Sequence, residues 1–575
     1  MADALQSVGS NSAALFSLRV HRGDGMVLLG MNWKRGTPSR DFVGFAIEYR
    51  EPGGDRFFAV RNRLAFPGVD GGVNPQTLSS NVSPIQLFRW VHFPRNAHLE
   101  GRFIYRVTPM FMNSRGELSE GEPQTAALEL RRETWPGRMN VSFTRGFVSS
   151  QAFVDRYGGK DAVRELLPGR AEDGLQFVSS HRDAEGALEW MGFEACEVLL
   201  RVLDEAIADP TARVYAVLYD LNEPRLLERY CQLGSRLKIV IDDDGSHGAA
   251  DSPESQAAER LRVTAGASNV VRHHMGKLQH NKLIAVDGKN PVCICGSTNH
   301  SWRGLYVQNN HLVLLRGRSA VKIFVAAAER YFGNPGGRPG AFSETDSAGW
   351  SDLKLRGIDA RVTFSPHSKQ NAVLSEIAAD ISSATSSVLF SLAFLYQTEG
   401  EISRAIAGLG KRRGMFCCGI SDKPVKGLSG GVMLQGPGGV VDVIGTAQLQ
   451  KAVPEPFHSE ASGGSGIRMH HKFVVLDFDK PTARVYFGSY NFSKAADGQN
   501  GENLLLVRDR RVATSFAIEA LRIYDHYQFR VKQLQAATAQ RVLQLKPSPA
   551  TKSERPWWSD WYTEKVRIRD RELFG

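Results

Sequence analysis

Over the first 135 residues, short apolar runs rich in β-branched and aromatic side chains alternate with turn-formers. Residues 26–33, 42–50, 57–62, 87–93, 102–111 and 125–130 read as strands. Pro52-Gly53-Gly54, residues 68–72 and residues 114–121 punctuate them. Short strands at this spacing predict a small all-β sandwich over residues 1–135. Residues 136–175, which open on Pro136-Gly137, read as a connector.

From residue 176 the pattern becomes one of alternating strands and helices. Segments 184–208, 224–233, 253–263 and 320–332 carry apolar positions at helical spacing. Between them, 214–219 and 237–241 read as buried strands, as do the runs around His280, Pro291 and His311. A Gly/Pro-rich break at 333–340 precedes a second pass through the same order. Helices are predicted at 371–384, 401–409 and 511–535; strands at 388–395, 415–420, around His470 and Val485, and at 502–507. The chain is therefore predicted to be multidomain: a β-sandwich (1–135), a connector (136–175), two related α/β halves (176–340 and 341–545), and an aromatic tail (546–575). Each half is a mixed sheet with flanking helices, and the halves are expected to pack about a pseudo-twofold axis. Gly/Ser-rich stretches at 427–439 and 459–466 are expected at the rim of a cleft. The tail cluster Trp557-Trp558-Ser559-Asp560-Trp561-Tyr562 reads as a strap docked on its own protein rather than a lipid contact.

At 575 residues the chain exceeds what one core fills. A net charge of +10 favours a polyanionic partner, a nucleic acid or an anionic lipid surface. The six cysteines lack metal-ligand spacing and lie in apolar runs, which suits a reducing compartment. The N-terminus carries no signal-peptide pattern. The longest apolar run, 388–396, falls far short of the roughly 20 residues a membrane-spanning helix needs. These features predict a cytoplasmic protein, free or peripheral to a membrane.

The candidate chemistry lies in a repeat. His280-Asn281-Lys282 with Asp287 is followed by Gly296-Ser297-Thr298-Asn299-His300-Ser301, then by Asn310-His311 opening an apolar run. About 190 residues later the order recurs: His470-His471-Lys472 with Asp477, then Gly488-Ser489-Tyr490-Asn491-Phe492-Ser493, then Glu502-Asn503. On a strand, residues two apart share a face, so each histidine is paired with a lysine, whereas the aspartates, seven residues beyond, fall on the opposite face, a structural position. Ser and Asn add small donors suited to phosphate oxygens. If the halves converge, one imidazole attacks phosphorus, the other protonates the leaving oxygen, and the lysines neutralise the equatorial oxygens. No cofactor or metal is called for, because the lysines supply that charge and no carboxylate or cysteine cluster offers ligands. His273, His274 and His471 read as rim or packing residues, Asp242-Asp243-Asp244 as a solvated turn, and Trp302, Arg303 and Lys494 as candidates to touch substrate.

The paired motifs resemble those of the phospholipase D superfamily, over roughly residues 175–540. Residues 1–135, with Trp33 on an early strand and Tyr105 in a late Tyr-x-Val strand, loosely resemble a fibronectin type III module. The superfamily resemblance implies a single site and a covalent phosphohistidine. It names His280, Lys282, Asp287, His470, Lys472 and Asp477 as the catalytic set, with Ser297, Asn299, Ser489 and Asn491 lining the site. Family habit makes His280 the nucleophile. Glu502 stands where the family often has an acid orienting a histidine, and Asn310 is its counterpart in the first half. Two motifs in one chain imply a monomer with no obligate protein partner. They also favour phospholipid headgroup hydrolysis, with peripheral membrane contact, over the alternative of an endonuclease acting on nucleic acid.

Overall fold

The computed structural model describes residues 5–68, 73–130, 133–146, 153, 156–158, 160–395, 400–410, 412–421, 434–435, 440–445 and 469–575. The N-terminal region is built on two larger antiparallel sheets, with a two-stranded ribbon, Arg61–Leu64 and Val73–Ser79, beside them. One runs Gln6–Val8, Phe16–Arg22, Val27–Trp33, Arg89–His92; the other is built on Phe42–Arg50 and Arg102–Met112. Phe16, Leu18 and Val20 alternate inward from the first sheet and meet Phe45, Ile47, Phe103, Tyr105 and Val107 from the second in one buried cluster. The strand Phe16–Arg22 is absent from the sequence expectation, although its apolar residues have the period of two that marks a half-buried strand.

The two α/β units match strand for strand. In the first, the sheet order is Met139–Phe143, His311–Arg316, Val292–Gly296, Lys282–Asp287, Arg213–Leu218, Leu237–Ile241, Val270–Arg272. In the second it is Asp359–Ser365, Glu502–Arg508, Arg484–Gly488, Lys472–Leu476, Ser387–Leu392, Phe416–Ser421, Val440–Gly445, with a two-residue strand added at each edge. Parallel and antiparallel pairings fall at the same places in both. Because Met139–Phe143 pairs antiparallel with His311–Arg316, the segment 136–175 is not a plain connector. The first unit begins inside it, just as the second begins with Asp359–Ser365 against Glu502–Arg508. Five residues behind a Pro-Gly turn are too short a run to announce a strand.

Side-chain alternation explains how the units join. Leu283 and Ala285 of the first unit and Phe473 and Val475 of the second point into one shared core, with helices Arg318–Phe332 and Arg510–Thr538 packed into it. Ile284 and Val286 face helices Ala184–Ala208, Pro224–Leu233 and Pro253–Ala265 on the far side. Val474 and Leu476 face Leu374–Ser383 and Glu401–Leu409. Strands covered on both faces read as continuous apolar runs, which is why they stood out in the sequence. Of the rim loops expected at 427–439 and 459–466, only the edge strand Leu434–Gln435 falls within the described residues.

The tail returns to the start of the chain. Trp557, Trp558 and Trp561 complete the N-terminal core, and the Trp557 indole N–H donates to the Phe42 carbonyl at 3.0 Å. Replacing Trp557 by Ala is expected to cost the N-terminal region about 3 kcal/mol or more. Urea unfolding should show an early transition moved to lower denaturant, with the α/β core transition unchanged.

Candidate active site

Each motif lysine, not its histidine, begins a strand: Lys282 pairs with Leu218 and Lys472 with Leu392. The histidines stand two residues earlier, at the junction of the units. Each lysine folds back so that Nζ donates to the carbonyl of its own motif histidine, at 2.6 Å for His280 and 2.7 Å for His470. The ammonium is thus placed beside the imidazole, as strand alternation predicted, but by a main-chain hydrogen bond.

Contacts behind the rings cross between units. His280 Nδ1 lies 2.7 Å from a Glu502 carboxylate oxygen of the second unit. His470 Nδ1 lies 2.8 Å from Asn310 Oδ1 and 3.1 Å from the Ser297 carbonyl, both of the first. The ring centroids are 6.2 Å apart at 77°. Both histidines, with Asn299 and Asn491, line a cavity of about 650 Å³. Asn299 Oδ1 and Asn491 Oδ1 are buried with no hydrogen-bond partner among the described residues. Ser297 and Ser489 do not line the cavity. Ser297 Oγ donates to Asn310 at 2.9 Å, and Ser489 Oγ bonds Glu502 and accepts the Asn503 N–H at 3.0 Å. The serines therefore brace the groups that hold the histidines.

Charge is scarce here because burial penalises it. Burial, then the charges of Lys282 and Lys472, hold the His280 imidazole well below its usual range; His470 is lowered in the same way. Burial brings Lys282 down to about 7 against the pull of Glu502 and Asp220, and Lys472 is also lowered well below its ordinary value. Burial pushes Glu502 up to about 8, opposed by Lys282. Asn500 Nδ2 donates to Glu502 Oε1 at 3.1 Å, so the proton between Glu502 and His280 lies in their own short bond. The cavity is basic but short of protons, a state that a bound phosphate anion reverses.

The aspartates are not at the cavity, which corrects their placement in the catalytic set. Asp287 is exposed at the far end of its strand, roughly 16 Å from Lys282 at about 3.3 Å per residue. Asp477 is buried, has a positive φ of 51°, and accepts the main-chain N–H groups of Thr385 and Ser386 at 2.9 and 2.7 Å. It ties one strand end to the next.

Asp242 is not a solvated turn. It is fully buried, accepts the Gln279 N–H at 2.6 Å and contacts His247 Nδ1 at 2.9 Å. His471, expected as a packing residue, is buried in hydrogen bonds. Arg303 lines the cavity, whereas Trp302 is buried and donates to the Gly174 carbonyl at 2.9 Å. Lys494, the third candidate, begins a helix capped by Ser493 and is not among the lining residues. Sequence reasoning missed Tyr219, whose ring lies 5.0 Å from His280 and 4.5 Å from His247, with Lys282 Nζ 4.7 Å from its centroid. It also missed a cluster of Asp220, His247 and Glu254, whose donor atoms lie within 4.8 Å of one another on the cavity wall. No motif spacing links those three. His247 Nδ1 lies 2.9 Å from Asp242 and Nε2 3.3 Å from Asp220; burial acts to lower the imidazole, but hydrogen bonds to these carboxylates prevail and raise it to about 10.

A family model described as cardiolipin synthase, PLD-like domain, matches residues 206–332 and 377–523, one segment in each unit. These two segments belong to the phospholipase D superfamily. Among curated proteins, a phospholipase D of Rickettsia felis is 40% identical over 47 residues, 8% of this chain and 22% of that protein. One of Rickettsia prowazekii is 40% identical over 47 residues, 8% of this chain and 21% of that protein. The chain thus spans about a fifth of the length of these relatives. Of solved structures, phosphatidylserine synthase of Haemophilus influenzae Rd KW20 has 12% identity and a TM-score of 0.40, covering 66% of this chain and 93% of that one. Polyphosphate kinase of Porphyromonas gingivalis has 10% identity and a TM-score of 0.37, covering 94% and 81%.

Two outcomes are expected. Sulfate, a dianion that does not titrate near neutrality, should bind at pH 8 with net uptake of protons, because its charge raises the depressed lysines; calorimetry in buffers of different ionisation enthalpy reads this directly. Asp477→Ala should cost about 3 kcal/mol by stranding buried N–H groups, whereas Asp287→Ala should stay within about 0.5 kcal/mol, both by urea unfolding.

Proposed function

We propose that this chain is a metal-independent phosphodiesterase that hydrolyses the headgroup phosphodiester of phospholipids through a phosphohistidine. The observation that carries the reading is the pair His280 and His470, 6.2 Å apart over one cavity with a lysine beside each. His280 Nε2 attacks phosphorus while the bond to the headgroup oxygen breaks, and His470 Nε2 gives that oxygen its proton. Water then attacks phosphorus, His470 takes back a proton, and the N–P bond breaks. We read His280 as the attacking residue: with the proton shared with Glu502 on Nδ1, 2.7 Å from the carboxylate, the Nε2 lone pair faces the cavity and Glu502 stabilises the cationic phosphohistidine. An amide at Asn310 gives His470 less of that stabilisation and leaves it the better acid.

The family description and the names of the Rickettsia relatives support a phospholipid as substrate. Among the described residues no helix is long and apolar enough to cross a membrane, so we read the lipid contact as peripheral. We read the N-terminal β-region as a fibronectin type III-like docking module. The second reading, an endonuclease, draws on the net charge of +10 and on Arg303 and Lys277 at the cavity.

Mixed phospholipid vesicles in EDTA provide the test. Wild type should release headgroups, and His280→Ala and His470→Ala should lower release on the order of 10³-fold or more. His470→Asn, able to attack but poor at the second step, should accumulate an acid-labile phosphoenzyme that His280→Asn lacks. Nicking of plasmid DNA without lipid cleavage would select the endonuclease, and loss of all activity in EDTA would contradict the two-histidine mechanism.

A further inference from the structure

The two histidines are supported differently one layer back. Behind His280 the motif residue Asn281 accepts from Asn503 Nδ2 at 3.0 Å, donates to Gln279 Oε1 at 3.1 Å and meets the Tyr331 hydroxyl of helix Arg318–Phe332, a set with no ionised group in it. The matching positions behind His470 are His471 and His311, and these lead outward to helix Arg510–Thr538. His471 Nε2 lies 2.9 Å from Glu519 Oε1, and Arg522 donates to both Glu519 oxygens at 2.6 and 2.7 Å. His471 Nδ1 lies 3.2 Å from His311 Nδ1, which is itself 3.2 Å from Ser297 Oγ. Glu519, His471, His311 and Ser297 are all fully buried, so no water supplies alternative partners.

The proton positions follow in order. Burial acts to raise Glu519, but the charge and hydrogen bonds of Arg522 prevail and keep it ionised. A carboxylate only accepts, so His471 carries its proton on Nε2 and presents a bare Nδ1. His311 must then donate from Nδ1. Ser297 Oγ already accepts the His311 main-chain N–H at 3.0 Å and now faces a second donor, so its own proton goes to Asn310 Oδ1 at 2.9 Å. Asn310 Nδ2 is engaged by the Gly304 carbonyl at 2.8 Å. The amide oxygen is thereby held on His470 Nδ1.

We propose that Glu519 and His471 are positioning residues for His470, directing the Ser297 proton to Asn310 and so fixing His470 with Nδ1 bonded and Nε2 facing the cavity. This rests on the reading of His470 as general acid. Neither residue touches the cavity; each acts through the chain of bonds.

The test is Glu519→Gln, whose amide can turn its NH₂ to His471 and reverse the chain. Long-range ¹H–¹⁵N spectra of the histidine side chains should show His471 protonated on Nε2 and His311 on Nδ1 in the wild type, with both tautomers exchanged in the variant. Turnover of a phospholipid, whose alcohol must be protonated to leave, should fall about ten- to a hundredfold in kcat with KM unchanged. The pre-steady-state burst of p-nitrophenol from a p-nitrophenyl phosphodiester, whose leaving group needs no proton, should keep its rate within about twofold, whereas the hydrolysis that follows, which uses His470 as base, should slow. A p-nitrophenol burst slowed as much as phospholipid cleavage, or unaltered tautomers, would overturn the proposal. Should Glu519→Gln not fold, the double variant His311→Asn/His471→Asn copies the Asn281–Asn503 pair while cutting off Glu519, and the same difference between esters is expected. The tautomers are read without turnover, so a wild type that cleaves neither ester would refute the phosphodiesterase reading while the spectra still decide the relay.

Discussion

The bond between His280 and Glu502 spans the two α/β units with both ends buried, and much of the architecture follows from it. A buried carboxylate or imidazolium alone costs several kcal/mol, so each needs its partner at hydrogen-bond distance. Those partners belong to different units: Glu502 opens the last strand of the second sheet, and His280 precedes a central strand of the first. The reciprocal contact, His470 with Asn310, crosses the other way. Neither unit holds a complete site. The shared core of Leu283, Phe473 and their neighbours, with helices Arg318–Phe332 and Arg510–Thr538 wedged into it, fixes the spacing that both crossing bonds require. Strands covered on both faces leave little freedom for that spacing to change.

Much of this plan was legible in the sequence, for identifiable reasons. The motif pairs stood out because they recur in the same internal order, and the central strands because burial on both faces removes polar interruptions. The histidines and motif asparagines do meet at one cavity, with a buried lysine folded back on each histidine carbonyl. What could not be read depends on distance rather than order. Asp287 and Asp477 share a motif position yet end in opposite environments, one exposed and one capping main-chain N–H groups from a left-handed residue. The serines look like phosphate donors until their neighbours Asn310 and Glu502 are seen to claim them. Tyr219, Asp220, His247 and Glu254 come together only through the fold, from the loops after strands Arg213–Leu218 and Leu237–Ile241 and the first turn of helix Pro253–Ala265. The strand Met139–Phe143 has too few residues to outweigh the Pro-Gly turn before it, and so 136–175 resembled a linker.

Comparing the copies position by position separates two kinds of residue. The motif residues at the cavity are the same in both, His280 and His470 with Asn299 and Asn491, and so are the lysines beside them, Lys282 and Lys472. Those behind the rings differ: Glu502 against Asn310, Asn503 against His311, Asn281 against His471. A phosphoryl group presents nearly equivalent non-bridging oxygens to either side, so the groups that bind it can be related by a twofold. Proton transfer cannot be so related, since one imidazole must attack while the other holds a proton. The asymmetry therefore has to be imposed where the Nδ1 atoms are held, out of reach of substrate. A carboxylate behind one ring and an amide braced by a histidine chain behind the other impose it there. The fold supplies a symmetric cradle, and the layer behind it supplies the direction of reaction.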